Sequence, residues 1–114
     1  MEKFEAISVM SALAQPTRLS TFGLLSRAGS DGMTAGDLAS KTGTRANTMS
    51  AHLLILTQAG LTSSRRAGRN IFYTVVPNAV LHLLSFLVDE CHDGKGELFA
   101  RFKQELSSCL SDGV

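Results

Sequence analysis

The first chemically informative feature of this sequence is a group of basic side chains in a segment that contains no acidic residue. Residues 38–88 contain five bases and no acid, whereas residues 1–37 carry a net charge of −1 and residues 89–114 a net charge of −3. The formal net charge of the whole chain is only +1, so the protein is not a polycation. A locally positive segment favours a polyanion such as nucleic acid as the partner. The five bases are Lys41, Arg45, Arg65, Arg66 and Arg69.

Other kinds of chemistry have no support in the sequence. There is no Gly-x-Ser-x-Gly, no phosphate-binding glycine loop and no His-Glu-x-x-His motif, so we do not expect an enzyme. The apolar stretch 79–88 is about half of the ~20 residues that a membrane-spanning helix needs. The N-terminus, MEKFEAISVM, lacks a secretory signal. Two cysteines are too few for a disulfide scaffold, and we expect a cytoplasmic protein with reduced thiols and no membrane partner.

Two short helices joined by a glycine turn are predicted to position the first bases. Thr34 fits the N-cap of the first helix, with Asp37 three residues later, and Gly43 suits the turn. The second helix, about 45–59, buries apolar residues at spacings of four and three, Met49, Leu53 and Leu56. We therefore predict a helix-turn-helix over about 34–60.

A hairpin is predicted to position the remaining arginines. After Gly60 the pattern changes to period 2, and residues 70–76 are rich in β-branched and aromatic side chains. Residues 67–69 form a tight turn between the two strands. The segment 61–76 is therefore a two-stranded wing with arginines near its tip.

Four further helices complete the predicted domain. The first covers about 3–14, and Pro16 begins the second, which carries Leu19, Phe22, Leu24 and Leu25 inward. A strongly apolar helix covers about 79–91. A final amphipathic helix, about 97–110, buries Leu98, Phe102, Leu106 and Cys109 or Leu110. The fold class is mainly α with a small β-hairpin: one winged helix-turn-helix domain over 1–114, with about five to six helices.

Several motifs in this order resemble the ArsR/SmtB family of metalloregulatory repressors. They cover about residues 5–90. One departure is Arg45, which occupies a position where the family usually has a small hydroxyl residue, so we expect Thr44 to cap the recognition helix. The matching motifs are Ala14-Gln15-Pro16-Thr17-Arg18-Leu19, Ser50-Ala51-His52-Leu53, Ala59-Gly60-Leu61 and Arg66-Ala67-Gly68-Arg69 with Tyr73.

The resemblance implies DNA contacts from two elements. The recognition helix would reach base edges and phosphates, and the wing would contact flanking phosphates or the minor groove. The alternatives are helix capping or a solvated face, and His52 could instead pack inside the helix pair. The predicted DNA-binding residues are Thr44, Arg45, Asn47, Thr48, Ser50 and His52 in the recognition helix, and Arg65, Arg66, Arg69 and Asn70 in the wing.

A homodimer is expected because one recognition helix reads few bases and two-fold dimers match palindromic operators. The helix 79–91 is also apolar nearly all round, more than one core needs. In the family the first and last common helices form the interface. Alternatively, the C-terminal helix of the same subunit covers the apolar side chains of the helix 79–91 that the core does not bury. The predicted interface residues are Phe4, Ile7, Met10, Leu81, Leu84, Leu87 and Val88.

The family's effector sites are only partly matched. Cys91 and His92 fall where some members carry adjacent cysteines, and Cys109 follows in the last helix. These three residues form a candidate metal or thiol sensor, for which arsenite or another thiophilic metal ion would be the inducer. The alternative is that Cys91 is an ordinary helix-end cysteine and Cys109 a small core residue.

The function predicted from the sequence is a homodimeric, sequence-specific repressor bound to double-stranded operator DNA and released by an effector, either a thiophilic metal or thiol oxidation. No cofactor is certain. The alternative is a winged-helix module that binds protein, or DNA without an inducer site.

Overall fold

Six helices and a three-stranded antiparallel sheet make up the fold, in a computed structural model that describes residues 1–90 and 96–112. One 3₁₀ turn, Gly29–Asp31, follows the second helix. The sheet order is β1-β3-β2. The elements are α1 Lys3–Leu13, α2 Pro16–Ala28, β1 Met33–Thr34, α3 Ala35–Thr42, α4 Ala46–Gln58, β2 Thr62–Ala67, β3 Asn70–Val75, α5 Pro77–Glu90 and α6 Glu97–Asp112.

The break between α1 and α2 lies where the proline predicts it. Pro16 is the first residue of α2, and the Gln15 side chain accepts a hydrogen bond from the Arg18 backbone N–H at 2.7 Å. The prediction that Leu19 points inward is wrong, because Leu19 is 56% exposed. Thr21 and Leu25, one turn apart, are the buried residues of α2. Leu19 precedes Thr21 by two residues and therefore faces about 200° away from it.

The helix-turn-helix consists of α3 and α4. The Thr34 hydroxyl accepts a hydrogen bond from the Asp37 N–H at 3.2 Å, which confirms the predicted N-cap of α3. Gly43 has φ 65° and ψ 30°, the left-handed conformation that ends many helices. Thr44 does not cap α4: Arg45 is the N-cap residue and makes no side-chain capping bond. The Thr44 hydroxyl instead accepts a hydrogen bond from that of Thr42 at 2.9 Å.

The hydrophobic core lies between the helices and the sheet. Met49, Leu53 and Leu56 are completely buried, as their spacing predicts. Leu25 of α2 and Leu38 of α3 join them in one cluster with the start of the sheet. The core therefore holds α4 by one face and leaves its opposite face in solvent.

The wing is a hairpin with a third strand beside it. Ala67 pairs with Asn70, so Gly68 and Arg69 form the loop between β2 and β3. The strand β1, which pairs Met33 with Tyr73, was not predicted from the sequence. It adds a second neighbour to β3 and attaches the base of the wing to the start of α3.

The last two helices differ in how much they bury. Helix α5 buries Ala79 and Leu83. In α6, Phe102 is 48% exposed, so the prediction that it is buried is wrong, and Cys109, one of the two alternatives for the last buried position, is exposed. The structure does not describe the side chains of Leu98, Leu106 and Leu110. No helix within residues 1–90 and 96–112 is long and apolar enough to span a membrane.

Candidate nucleic-acid interface

The first turn of α4 exposes polar and basic side chains. Arg45, Asn47 and Thr48 are all exposed. The Asn47 Oδ1 accepts a hydrogen bond from the Thr48 backbone N–H at 2.9 Å, which satisfies one of the donors that a helix start leaves open. A bidentate contact to an adenine edge would use one amide hydrogen of Asn47 as donor and Oδ1, which has a second lone pair, as acceptor.

Ser50 and His52 differ in their surroundings although they belong to one predicted motif. Ser50 is exposed, and its hydroxyl donates to the Ala46 carbonyl one turn earlier at 3.1 Å. His52 is half-buried against α2. The Arg18 Nη1 lies 3.4 Å from the His52 Nδ1. The contact that the structure gives His52 is therefore with α2 and lies outside the α3–α4 pair.

Arg18 connects three helices, a role that the sequence did not predict. Its Nε donates to the Ala12 carbonyl at 2.7 Å, and its Nη2 donates to the Ser11 carbonyl at 3.5 Å. Both carbonyls belong to the last turn of α1. The Ser11 carbonyl also accepts from the Ala14 N–H at 3.2 Å, whereas Pro16, four residues after Ala12, has no N–H to offer the Ala12 carbonyl. The same guanidinium meets His52 in α4. The signal in the sequence was an arginine just after a predicted helix break. A cation in that position can bind the carbonyls at the end of the preceding helix.

The wing arginines fall into two groups. Arg66, Arg69 and the neighbouring Asn70 are exposed at the hairpin end. Arg65 extends back across the sheet: its Nη2 donates to the Asp31 carbonyl at 2.9 Å, and its guanidinium carbon lies 4.9 Å from the centre of the Phe72 ring. Arg65 thus joins the wing to the 3₁₀ turn, and Arg66 and Arg69 extend from the tip.

The charge of this region remains uncompensated in the folded chain. All five bases of the acid-free segment are exposed, Lys41 and Arg45 in the helix-turn-helix and the three arginines in the wing. Among residues 1–90 and 96–112, the salt bridge observed is the distant pair Arg101–Glu105 in α6. Among the described residues, none of these five bases forms a salt bridge, and the helix-turn-helix and wing together carry five bases and one acid, Asp37 of α3.

A separate apolar surface lies on α1 and α5, which pack against each other. Large side chains of both helices point to solvent, with Phe4 82% exposed. Of the predicted interface residues, Val88 is half-buried and the rest are exposed. The inward face of α1 consists of Ala6, Val9 and Ala12. The exposed interface residues are Phe4, Ile7, Met10, Leu81, Leu84 and Leu87.

Of the three candidate sensor residues, the structure describes Cys109 alone. Cys109 is exposed on α6. Cys91 and His92 lie outside the described residues. Within the part of the chain that the structure describes, no group of three His, Cys, Asp or Glu side chains could hold a metal ion.

Comparisons with known proteins agree with this geometry. A helix-turn-helix domain family model matches residues 13–65. The HTH-type transcriptional regulator YgaV of Escherichia coli is 34% identical over 73% of this chain and 82% of that protein. The transcriptional repressor SdpR of Bacillus subtilis is 37% identical over 70% of this chain and 90% of its own length.

A solved structure shows the same architecture. It is the homodimeric winged helix-turn-helix DNA-binding domain of Mb0332 from Mycobacterium bovis, a possible ArsR-family transcriptional regulator. The identity is 30%, the TM-score is 0.61, and the match covers 75% of this chain and 79% of that one.

Proposed function

The chain belongs to the ArsR-type winged helix-turn-helix transcriptional regulators, and from that premise we propose that it is a homodimeric repressor that recognises a specific operator. The observation that supports the proposal is the set of exposed bases in the helix-turn-helix and the wing. Five exposed bases, with no acid in the same segment, suit a DNA backbone. The exposed Arg45 and Asn47 at the start of α4 supply side chains that discriminate bases.

The homodimer is supported by the apolar surface on α1 and α5. Large exposed apolar patches on a soluble protein mark interaction sites. Phe4 in α1 and Leu84 in α5 are exposed, whereas Val9 of α1 and Leu83 of α5 are buried. A second copy of the chain would cover this surface and place two recognition helices on successive major grooves. The relative from Mycobacterium bovis is itself homodimeric.

Fluorescence anisotropy tests the proposal. Labelled duplexes carrying the promoter of the protein's own gene and a scrambled sequence of the same composition are titrated with the protein. We expect tighter binding to the promoter, by about 10³-fold or more, as for specific regulators. Equal affinities for the two duplexes would contradict sequence-specific repression. Absence of binding to both would favour the alternative, a protein-docking winged helix.

We extend the proposal to release from DNA by an effector that reacts with thiols, such as arsenite or an oxidant. The support is the exposed Cys109 thiol together with Cys91 and His92 in the sequence. The titration is repeated with arsenite, cadmium, zinc and an oxidant on the wild type and on Cys91→Ser and Cys109→Ser. Loss of the response in either variant supports a thiol sensor. A normal response in both variants, or no response in the wild type, contradicts it.

A further inference from the structure

A cavity of about 780 Å³ opens between the second half of α2, the 3₁₀ turn, the sheet and the start of α5. It is distinct from the recognition helix and from the exposed apolar surface of α1 and α5. Its volume lies within the range of small-molecule sites in proteins. Its apolar walls are formed by Phe22, Leu25, Val75, Pro77 and Val80.

The polar groups of the cavity lie mostly on the wing side. The hydroxyls of Ser63 and Thr74 lie 3.2 Å apart and share a hydrogen bond across β2 and β3. The Ser26 hydroxyl donates to the Phe22 carbonyl at 2.9 Å. These hydroxyls already have hydrogen-bond partners within the protein, so they line the cavity without requiring water as a partner.

Arg65 is the one charged residue that lines this cavity. Among the described residues, its hydrogen-bond acceptor is the Asp31 carbonyl. A guanidinium has five N–H donors in a planar fork, and one bond to a carbonyl leaves donors for a second acceptor. The guanidinium carbon lies 4.9 Å from the centre of the Phe72 ring, a cation–π contact that holds the side chain beside the sheet. The arrangement suits a carboxylate, which arginine binds through two parallel hydrogen bonds.

We infer that the cavity binds a small amphiphilic carboxylate, with its apolar part against Phe22, Val75 and Val80 and its carboxylate on Arg65. The ligand class follows from the combination of apolar walls, one cation and no anion in the lining. A neutral molecule of the same shape would lose the charge-assisted bonds. A cationic molecule would be repelled by the positive charge of the Arg65 guanidinium.

The site has a regulatory consequence that rests on the proposed function. Arg65 belongs to β2 of the wing, so a carboxylate bound to it neutralises one of the wing's three arginines. If Arg65 serves one phosphate in each protomer, the ligand removes two contacts from the dimer, worth about 1.8 in the slope of log affinity against log salt concentration. The ligand therefore weakens DNA binding from a site that does not touch the recognition helix.

Calorimetric titration with octanoate and with 1-octanol tests the cavity without DNA. We expect octanoate to bind about tenfold tighter than 1-octanol, since a charge-assisted pair contributes roughly twice a neutral hydrogen bond. Arg65→Gln should remove this preference and leave the affinity for 1-octanol unchanged. The matched control is Arg69→Gln, which removes the same charge from the exposed loop outside the cavity and should leave octanoate binding unchanged.

Two variants that place a large side chain in the cavity test whether the probes bind there. Val80→Trp should abolish binding of both probes, and Ser26→Phe, at an exposed position on the rim, provides a second test if Val80→Trp does not fold. Octanoate binding that survives in a folded filling variant, or a preference for octanoate that survives in Arg65→Gln, would overturn the inference.

The DNA experiment separates this inference from the proposed function. Octanoate should lower DNA affinity in the wild type and in Arg69→Gln but not in Arg65→Gln. Octanoate binding with the expected variant pattern, in a protein that does not bind DNA, would uphold the cavity and contradict the repressor. Specific DNA binding by a protein that does not bind octanoate would uphold the repressor and contradict the cavity site.

Discussion

The Arg18 guanidinium lies 3.4 Å from the His52 Nδ1 and so connects the end of α1 to the recognition helix. In the tautomer with an unprotonated Nδ1, His52 accepts a hydrogen bond from Arg18. The same guanidinium donates to the Ala12 and Ser11 carbonyls. One side chain thus fixes the position of α4 relative to the helix that carries Phe4, Ile7 and Met10. Recognition helix and proposed dimer surface share a rigid connection.

Replacing Arg18 should weaken both folding and DNA binding. Arg18→Gln removes the donor to the Ala12 carbonyl, whereas the Ser11 carbonyl keeps its bond from the Ala14 N–H, and we expect the free energy of unfolding to fall by about 1–3 kcal/mol. Urea denaturation measures this, with the exposed Arg27→Gln on the same helix as control. His52→Ala retains the bonds to α1, so it should reduce operator affinity more than it reduces stability. Wild-type operator affinity in both variants would show that the contact does not position α4.

Alanine substitutions at the start of α4 should reduce specificity. Arg45→Ala and Asn47→Ala remove side chains that are exposed, so thermal stability should change little. If each contacts a base, operator affinity should fall by about 1–3 kcal/mol per half-site, and binding to scrambled DNA should fall much less. Anisotropy titration provides the measurement, and Gln58→Ala at the other end of α4 is the control. An equal loss on both duplexes would assign the residue to phosphate contact instead.

Removing one arginine from the wing tip should alter salt dependence more than sequence preference. Arg69 is in the exposed loop of the hairpin. For a dimer that loses one phosphate contact per protomer, the slope of log affinity against log salt concentration should fall in magnitude by about 1.8. Titrations at several salt concentrations measure the slope. Arg101→Gln, in α6, should leave it unchanged, and an unchanged slope in Arg69→Gln would place the wing tip away from the phosphates.

A carboxylate placed on the apolar surface should prevent dimerisation. Phe4→Glu and Leu84→Glu would bury an unpaired charge in the proposed interface, which is strongly unfavourable. Sedimentation velocity should then show a monomer. Leu19→Glu, an equally drastic change at an exposed position of α2, should leave the dimer intact. Dimers that persist in both interface variants would show that the subunits meet elsewhere.

Gly32 should tolerate a side chain less well than Gly29, although both have positive φ, 71° and 64°. A methyl group on Gly32 would overlap the Tyr73 carbonyl oxygen and lie 2.9 Å from the Thr74 Cγ2, whereas one on Gly29 meets nothing within 4 Å. We expect Gly29→Ala to cost about 1–3 kcal/mol of unfolding free energy from backbone strain alone. Gly32→Ala should cost about 1–3 kcal/mol more through the overlap. Denaturant titrations compare the two, and equal losses would argue against the close approach of the turn to β3.

Local patterns in the sequence were sufficient to predict the elements that form the DNA-binding surface. The N-cap at Thr34, the left-handed Gly43 and the burial of Met49, Leu53 and Leu56 all depend on residues close together in the chain. The two-residue strand β1 could not be predicted in this way, since Met33 and Thr34 are strand residues only because Tyr73 and Phe72 lie beside them.

The contacts of individual charged side chains were harder to predict. Arg65 belongs to the arginine cluster of the wing, yet its guanidinium bonds to Asp31, 34 residues earlier in the chain. Arg18 and His52 are also 34 residues apart. The sequence indicates that such side chains need acceptors, but the fold decides which acceptors are within reach. The wrong prediction for Thr44 has a local cause instead, because the hydroxyl of Thr42, two residues earlier, donates to the Thr44 hydroxyl.

The inward face of α1, made of Ala6, Val9 and Ala12, has a consequence for how the protein persists in a cell. Small side chains let the helix lie close to its neighbours but remove little apolar area from water. The larger side chains of α1 are exposed, and a second chain would bury them. In the proposed homodimer, folding would be linked by mass action to subunit association, and apparent stability would rise with the amount of protein present. A repressor built in this way would be cleared by proteases when scarce and protected when abundant.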